Sequence, residues 1–228
     1  MKYVIISVFV AFGLFAFDGW WNGGYRFNEG RACHWIDGKC GYINRLHQVV
    51  IPHIYDNCGD FDGGIAYVGV NDDSDTRYGC IDRRGNIVVP LLYDWCSSPV
   101  YGVVHVKLDG KHGCFTTEGR ESVPLIYDYI GCFFPQNKGL AVVELNDKYG
   151  FVKRNGDVAI PVSYDYCEQV FTDGLVRAQI GGKWGYLDHK GNDVIPFVYD
   201  EAGIFKDGKA EVVLDLQKYF IDTDGNTK

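Results

Sequence analysis

The chain is expected to fold as an all-β tandem array of about six repeats, and three features of its 228 residues predict this. A proline followed by a Tyr-Asp pair recurs as VIPHIYD, VVPLLYD, SVPLIYD, AIPVSYD and VIPFVYD, with prolines at Pro52, Pro90, Pro124, Pro161 and Pro196, spaced 38, 34, 37 and 35 residues. A period of this size marks stacked repeat units. An aromatic-glycine step precedes each such segment. The composition, with 29 glycines and 15% aromatic residues, favours strands joined by tight turns, and no long stretch shows apolar residues at helical spacing.

Each unit opens on a turn such as Phe27-Asn28-Glu29-Gly30, Phe61-Asp62-Gly63-Gly64, Phe171-Thr172-Asp173-Gly174 or Phe205-Lys206-Asp207-Gly208. Val100-Tyr101-Gly102 takes its place in the third unit, and a longer loop separates Phe134 from Gly139 in the fourth. In that fourth unit Leu140 to Leu145 reads as a strand, Asn146-Asp147 as a hairpin turn, Lys148 to Lys153 as a second strand, Arg154 to Gly156 as another turn and Asp157 to Pro161 as a third strand. A three-stranded meander of about 36 residues cannot bury its own face, so adjacent units must stack. The proline suits a strand end or edge. The glycine of the step predicts a bulge or the close approach of another backbone or ring. The aspartate of the Tyr-Asp pair predicts a carboxylate bonded to local backbone N–H groups. Trp184 reads as a core anchor whose truncation to Ala costs about 3–5 kcal/mol.

The steps are Lys39-Cys40-Gly41-Tyr42, Arg77-Tyr78-Gly79-Cys80, Lys111-His112-Gly113-Cys114, Lys148-Tyr149-Gly150-Phe151, Lys183-Trp184-Gly185-Tyr186 and, aligned without a gap, Lys218-Tyr219-Phe220-Ile221. With the Pro and Tyr-Asp segments, they resemble the WG repeat family of bacterial proteins over residues 27–228. The resemblance implies tandem β-structure and supplies no catalytic residues.

Residues 18–228 read as a single domain, with units at about 27–60, 61–99, 100–133, 134–170, 171–204 and 205–228. An open, curved array is expected. A closed propeller-like ring is the alternative, with Val4 to Phe9 supplying the strand that the truncated last unit lacks. The fifteen uncharged residues Tyr3 to Phe17 are short for a membrane helix and suit the apolar core of a signal peptide. On that reading the protein is secreted or held at the cell envelope; if the segment is instead a structural strand, the protein is cytoplasmic. Membrane contact is expected only if the segment is retained.

The net charge of −8, without a basic stripe, argues against nucleic acid as a partner. Six histidines fall at unrelated repeat phases, so no metal spacing or cofactor motif emerges. Asn71 to Asp75 alternates acids but lacks the glycine and closing glutamate of a calcium loop, and reads as a solvated hairpin tip. Six of the eight cysteines fall at core phases. Cys58, Cys96 and Cys167 share the second position after the Tyr-Asp pair, and Cys40, Cys80 and Cys114 replace aromatics of the step, which reads as buried thiols, with a cross-unit pair such as Cys58–Cys96 open. Cys33-His34 and His112-Gly113-Cys114 place thiol and imidazole near each other in sequence, without the third group that catalysis requires.

One position differs among units in a way that suggests function. Directly after the Tyr-Asp pairs stand Asn57, Trp95, Tyr129, Tyr166 and Glu201. Trp95, Tyr129 and Tyr166 are expected to line up on one face, where aromatic side chains stack on sugars or anchor a protein. The reading is therefore a non-enzymatic scaffold that binds a protein or glycan partner. A hydrolase using a Cys or Asp of one degenerate unit, and a purely structural spacer, are the alternatives.

Overall fold

The computed structural model describes residues 25–72 and 75–227. The N-terminal apolar segment with its ring-closing option, Trp20, Trp21, Asp73 and Ser74 lie outside the described residues. Six antiparallel sheets succeed one another along the chain, at residues 32–55, 57–93, 95–127, 129–164, 166–199 and 201–222, here sheets 1 to 6. Among the described residues no sheet closes on itself, and the tandem sheets fit an open array.

In sheet 5 the strands Val176–Ile180, Lys183–Leu187 and Asp193–Tyr199 form the expected meander. The structure adds an edge strand before it, Tyr166–Cys167, made by the residues that follow the preceding Tyr-Asp pair. Sheets 2 to 5 thus have four strands rather than three, and the link between units is itself hydrogen-bonded into the next sheet. The opening turns work because two successive residues take positive φ, as at Asp173 (50°) and Gly174 (84°) or Tyr101 (52°) and Gly102 (78°). This backbone twist suits a two-residue hairpin, and Tyr101 adopts it although no Asp or Asn stands there.

The core lies between sheets. The central strands of sheets 2 to 4 and Lys183–Leu187 of sheet 5 bury residues on both faces, whereas Lys209–Leu214 of sheet 6 buries only Ala210 and Val212, on one face. Val68 and Ile81 of sheet 2 pack against Tyr42 and Ile51 of sheet 1, while Ile65 and Val89 of sheet 2 pack against Val104 and Val106 of sheet 3. The same exchange continues to Tyr186 and Ile195 of sheet 5 against Val212 and Ile221 of sheet 6. Each unit completes its core only with its neighbours, as the repeat predicted.

The glycine of the step has both causes anticipated for it. A Cβ at Gly150 would lie 2.6 Å from the carbonyl oxygens of Ile160 and Pro161 on the adjoining strand. The register shifts at that place. Pro161 belongs to the strand Val158–Tyr164, which forms the outer edge of sheet 4, so its missing N–H interrupts no ladder.

The Tyr-Asp aspartate reaches further than expected. Asp165 Oδ1 accepts from Lys148 Nζ at 2.5 Å, within its own sheet, and Oδ2 accepts the backbone N–H of Gly181 at 2.6 Å, on the hairpin tip of the next. Asp56, Asp94, Asp128 and Asp200 repeat this bridge with Lys39, Arg77, Lys111 and Lys183 on one side and Asn71, Asp109, Asn146 and Asp215 on the other. The bridge therefore joins neighbouring units, and a local turn is not its main product.

Two further expectations are corrected. In sheet 6 Val213 pairs with Lys218, as Gln179 pairs with Trp184 in sheet 5, so Tyr219 and not Phe220 occupies the glycine position. The link between the Tyr-Asp pair and the opening turn is one residue shorter there, Asp200 to Phe205 against Asp165 to Phe171. The substitution is tolerated because, among the described residues, no strand adjoins the outer side of Gln217–Asp222 to crowd the side chain. Trp184 is half-buried, and the fully buried member of its step is Tyr186, 1% exposed. Tyr186 is thus the core anchor.

Candidate aromatic binding face

The residues after the Tyr-Asp pairs are presented by the two-residue edge strands, and pairing places Trp95, Tyr129 and Tyr166 each in one cross-strand row with the step residue of its own unit. In sheet 5 the cross-strand row is Tyr166, Gln179, Trp184 and Tyr199; in sheet 4 it is Tyr129, Glu144, Tyr149 and Tyr164; in sheet 3 it is Trp95, Lys107, His112 and Tyr127.

Rings then meet along the face. Tyr166 lies between Tyr149 and Trp184, with centroids 5.6 Å from each, and Tyr129 lies 6.4 Å from His112. Both tyrosines are half-buried, whereas Trp95 is 46% exposed. The face thus brings Tyr166 and Tyr129 into ring contacts and leaves the indole of Trp95 open.

An open pocket of about 660 Å³ lies at Trp95, lined also by Asp94, Lys107, Gly110 and His112. It opens where the step carries an imidazole: the place that Trp184 fills beside Tyr166 is held by the smaller His112 beside Trp95. Burial lowers the pKa of His112, and Lys107 lowers it further against the pull of Asp128, so a neutral imidazole, able to donate and accept, faces the pocket near neutral pH. The Asp94 carboxylate is held by Arg77 and by the N–H of Asp109. Sequence reasoning identified Trp95 but not Lys107 or His112. The signal was present in the replacement of the step aromatic by His112.

The cysteines part from their expected state at the first interface. Cys40 of sheet 1 is disulfide-bonded to Cys58 of sheet 2, with Cα atoms 6.2 Å apart, so Cys58 pairs with Cys40 rather than Cys96. The Cys33 thiol lies near both sulfurs, the three within 4.8 Å of one another. Burial, aided by Asp60, pushes its pKa up to about 11. His34, next in sequence, bonds His53 instead, Nδ1 to Nε2 at 2.8 Å. Cys80, Cys96, Cys114 and Cys167 are buried thiols, and burial pushes Cys114 and Cys167 up to about 12.

Fold and repeat together define a tandem β-repeat protein. The family described as "WG containing repeat" matches residues 41–72, 78–111, 113–149, 149–184 and 184–219, and the chain belongs to that family. No curated protein matches it. Among solved structures, a crystal structure of the eukaryotic initiation factor is similar at a TM-score of 0.50 and 8% identity, over 92% of this chain and 64% of that one. AztD from Citrobacter koseri has a TM-score of 0.34 and 13% identity, over 90% of this chain and 69% of that one. The first likeness concerns fold alone, and this chain spans less than two thirds of that protein.

Proposed function

We propose that the protein is a non-enzymatic repeat scaffold that docks a glycan or protein partner on the face carrying Trp95, Tyr129 and Tyr166, with Trp95 as the point of attachment. The observation that carries this reading is the half-exposed indole of Trp95 over an open pocket edged by Asp94, Lys107 and His112. An exposed aromatic plane flanked by hydrogen-bonding groups suits a sugar ring, whose apolar face stacks while its hydroxyls bond at the rim. Raised thiol pKa values at Cys33 and Cys114 leave poor nucleophiles at the two places where the sequence sets Cys near His, which supports a binding role over hydrolysis. The apolar segment before the repeats fits a secreted or envelope location.

A glycan array and a pull-down with wild-type protein, each repeated with Trp95→Ala, test the proposal. Loss of the bound partner in the variant, with the melting temperature kept, is expected. Equal binding by both proteins removes Trp95 from the reading, and no partner in either assay favours a structural spacer.

A further inference from the structure

The interface between sheets 2 and 3 places two buried cysteines together in a way that neither the fold nor the binding reading uses. Cys80, in the second strand of the sheet 2 meander, is 0% exposed, and Cys96, in the edge strand of sheet 3, is 4% exposed. Their sulfurs are 3.2 Å apart. Each thiol is surrounded by apolar side chains, among them Ile65, Val89, Val104 and Val106, so neither has a charged partner in this cluster.

Repeat phase supplies a second, independent observation. Cys96 occupies the position of Cys58, which is bonded across the preceding interface to Cys40. Cys80 occupies the position of Tyr42, two residues after Cys40 and buried in the same cluster. A residue at the second place after a Tyr-Asp pair therefore faces both of those positions in the sheet before it. At the first interface the sulfur is at the earlier position, and at the second it is at the later one.

We infer that Cys80 and Cys96 form a second cross-sheet disulfide, so that sheets 1, 2 and 3 are covalently laddered. A bond requires sulfurs at about 2.05 Å, and closing the present gap takes a shift of about an ångström. The oxidant is a small-molecule or protein disulfide, RSSR. One cysteine thiolate attacks it, forming a mixed disulfide and releasing RS⁻, which takes up the proton that the cysteine lost. The second thiol, deprotonated in turn, displaces the other RS⁻, which leaves as RSH. Two protein thiols are oxidised and one RSSR is reduced to two RSH. Because both sulfurs are buried, the exchange takes place as the chain folds. Compartments that sustain such bonds are those implied by a secretory segment. The bond also fixes the strand presenting the proposed docking residue, since Cys96 directly follows Trp95.

The test is to refold the reduced chain in a buffer of reduced and oxidised glutathione, isolate the folded protein, denature it without reductant, alkylate it and map the non-reduced peptides. A linked Cys80–Cys96 peptide pair is expected, with neither residue alkylated. In Cys96→Ser, Cys80 is expected to become fully alkylated. Recovery of Cys80 or Cys96 alkylated in most wild-type molecules, or linked to any other cysteine, overturns the inference. The wild-type map is decisive even if the variant fails to fold, and it is independent of whether Trp95 binds anything.

Discussion

The interface between sheets 5 and 6 and that between sheets 2 and 3 share one frame and differ in filling. At the former, Tyr186 packs edge-on to Phe205 with centroids 4.8 Å apart, and its hydroxyl donates to the carbonyl of Gly203 at 2.6 Å. Tyr42 does the same with Phe61 and Gly59 between sheets 1 and 2. Between sheets 2 and 3, Cys80 stands where those tyrosines stand and Pro99 where the phenylalanines stand. Yet the lysine-or-arginine to aspartate bridge and the paired positive-φ turns recur at both places. The difference teaches that turns and bridges set the spacing of units while the buried filling is free to vary. The candidate binding pocket belongs to sheet 3, beside the varied filling.

The largest expected effect separates the two fillings. Tyr186→Ala removes a fully buried ring and strands the Gly203 carbonyl, and should lower unfolding free energy by about 3–5 kcal/mol. In the reduced protein Cys80→Ala removes only a sulfur and should cost about 1 kcal/mol. Trp184→Ala should fall between them, at about 2 kcal/mol, because the indole is half-buried between Tyr166 and the Arg177 guanidinium, 5.2 Å from its centroid. Urea denaturation under reducing conditions measures all three. Equal losses for Tyr186→Ala and Cys80→Ala would break the comparison.

Next in size is the covalent tie at the first interface. The Cys40–Cys58 bond joins residues 18 apart in sequence, and a loop of that size restricts the unfolded chain by about 3 kcal/mol. Replacing both cysteines with alanine should lower stability by about that amount at the sheet 1 end. Hydrogen exchange should accelerate first in residues 32–55, with sheets 5 and 6 unchanged.

The strand order, the hairpin turns and the stacking of units were legible because each rests on a local rule applied six times over. Errors arose where the rule depends on what lies opposite. The glycine of the step is required only while an adjoining strand's carbonyls face it, and before sheet 6 a link one residue shorter, Asp200 to Phe205, shifted the alignment unseen, placing Tyr219 there. The Asp165 carboxylate looked local because its second partner, Gly181, lies on the next unit's hairpin, 16 residues on. Trp184 looked like the anchor because it is the larger ring, whereas strand alternation buries Tyr186 more fully. Trp95 was legible as an exposed aromatic, but the pocket beside it depends on the size of His112 across the sheet.

The filling of sheet 3 also brings a titratable group into the core. His105, 8% exposed, has its pKa pushed down to about 4 by burial, with a smaller contribution from His112, and its Nε2 has no hydrogen-bond partner. The unfolded chain binds a proton at this residue below its ordinary pKa near 6.5, while the folded chain stays neutral down to about 4. Stability is therefore greatest above pH 6.5 and declines as pH falls toward 4, by roughly 2 kcal/mol between pH 6.5 and 5. Urea midpoints of wild type and His105→Leu across this range measure it. The variant's midpoint should change less with pH, and parallel curves would remove His105 as the cause.

The smallest effect probes the common frame. The Asp165 carboxylate has its pKa lowered by Lys148 Nζ first and by the Gly181 N–H second, and Asp56, Asp128 and Asp200 are lowered by equivalent bonds. A depressed folded pKa means that the contribution is fully present above the unfolded value of 3.8 and is lost as pH falls through the lower folded value. This window lies below that of His105, so the two can be separated on one titration. Asp165→Asn should shift the acid limb slightly and leave the limb above pH 5 in place. Asp128→Asn should act alike, because the bridge is the same whether the next interface is filled by Phe151 and Phe171 or by Cys114 and Phe133. Unequal acid shifts for the two variants would show that the filling reaches into the frame, and that the units are less interchangeable than their shared bridge implies.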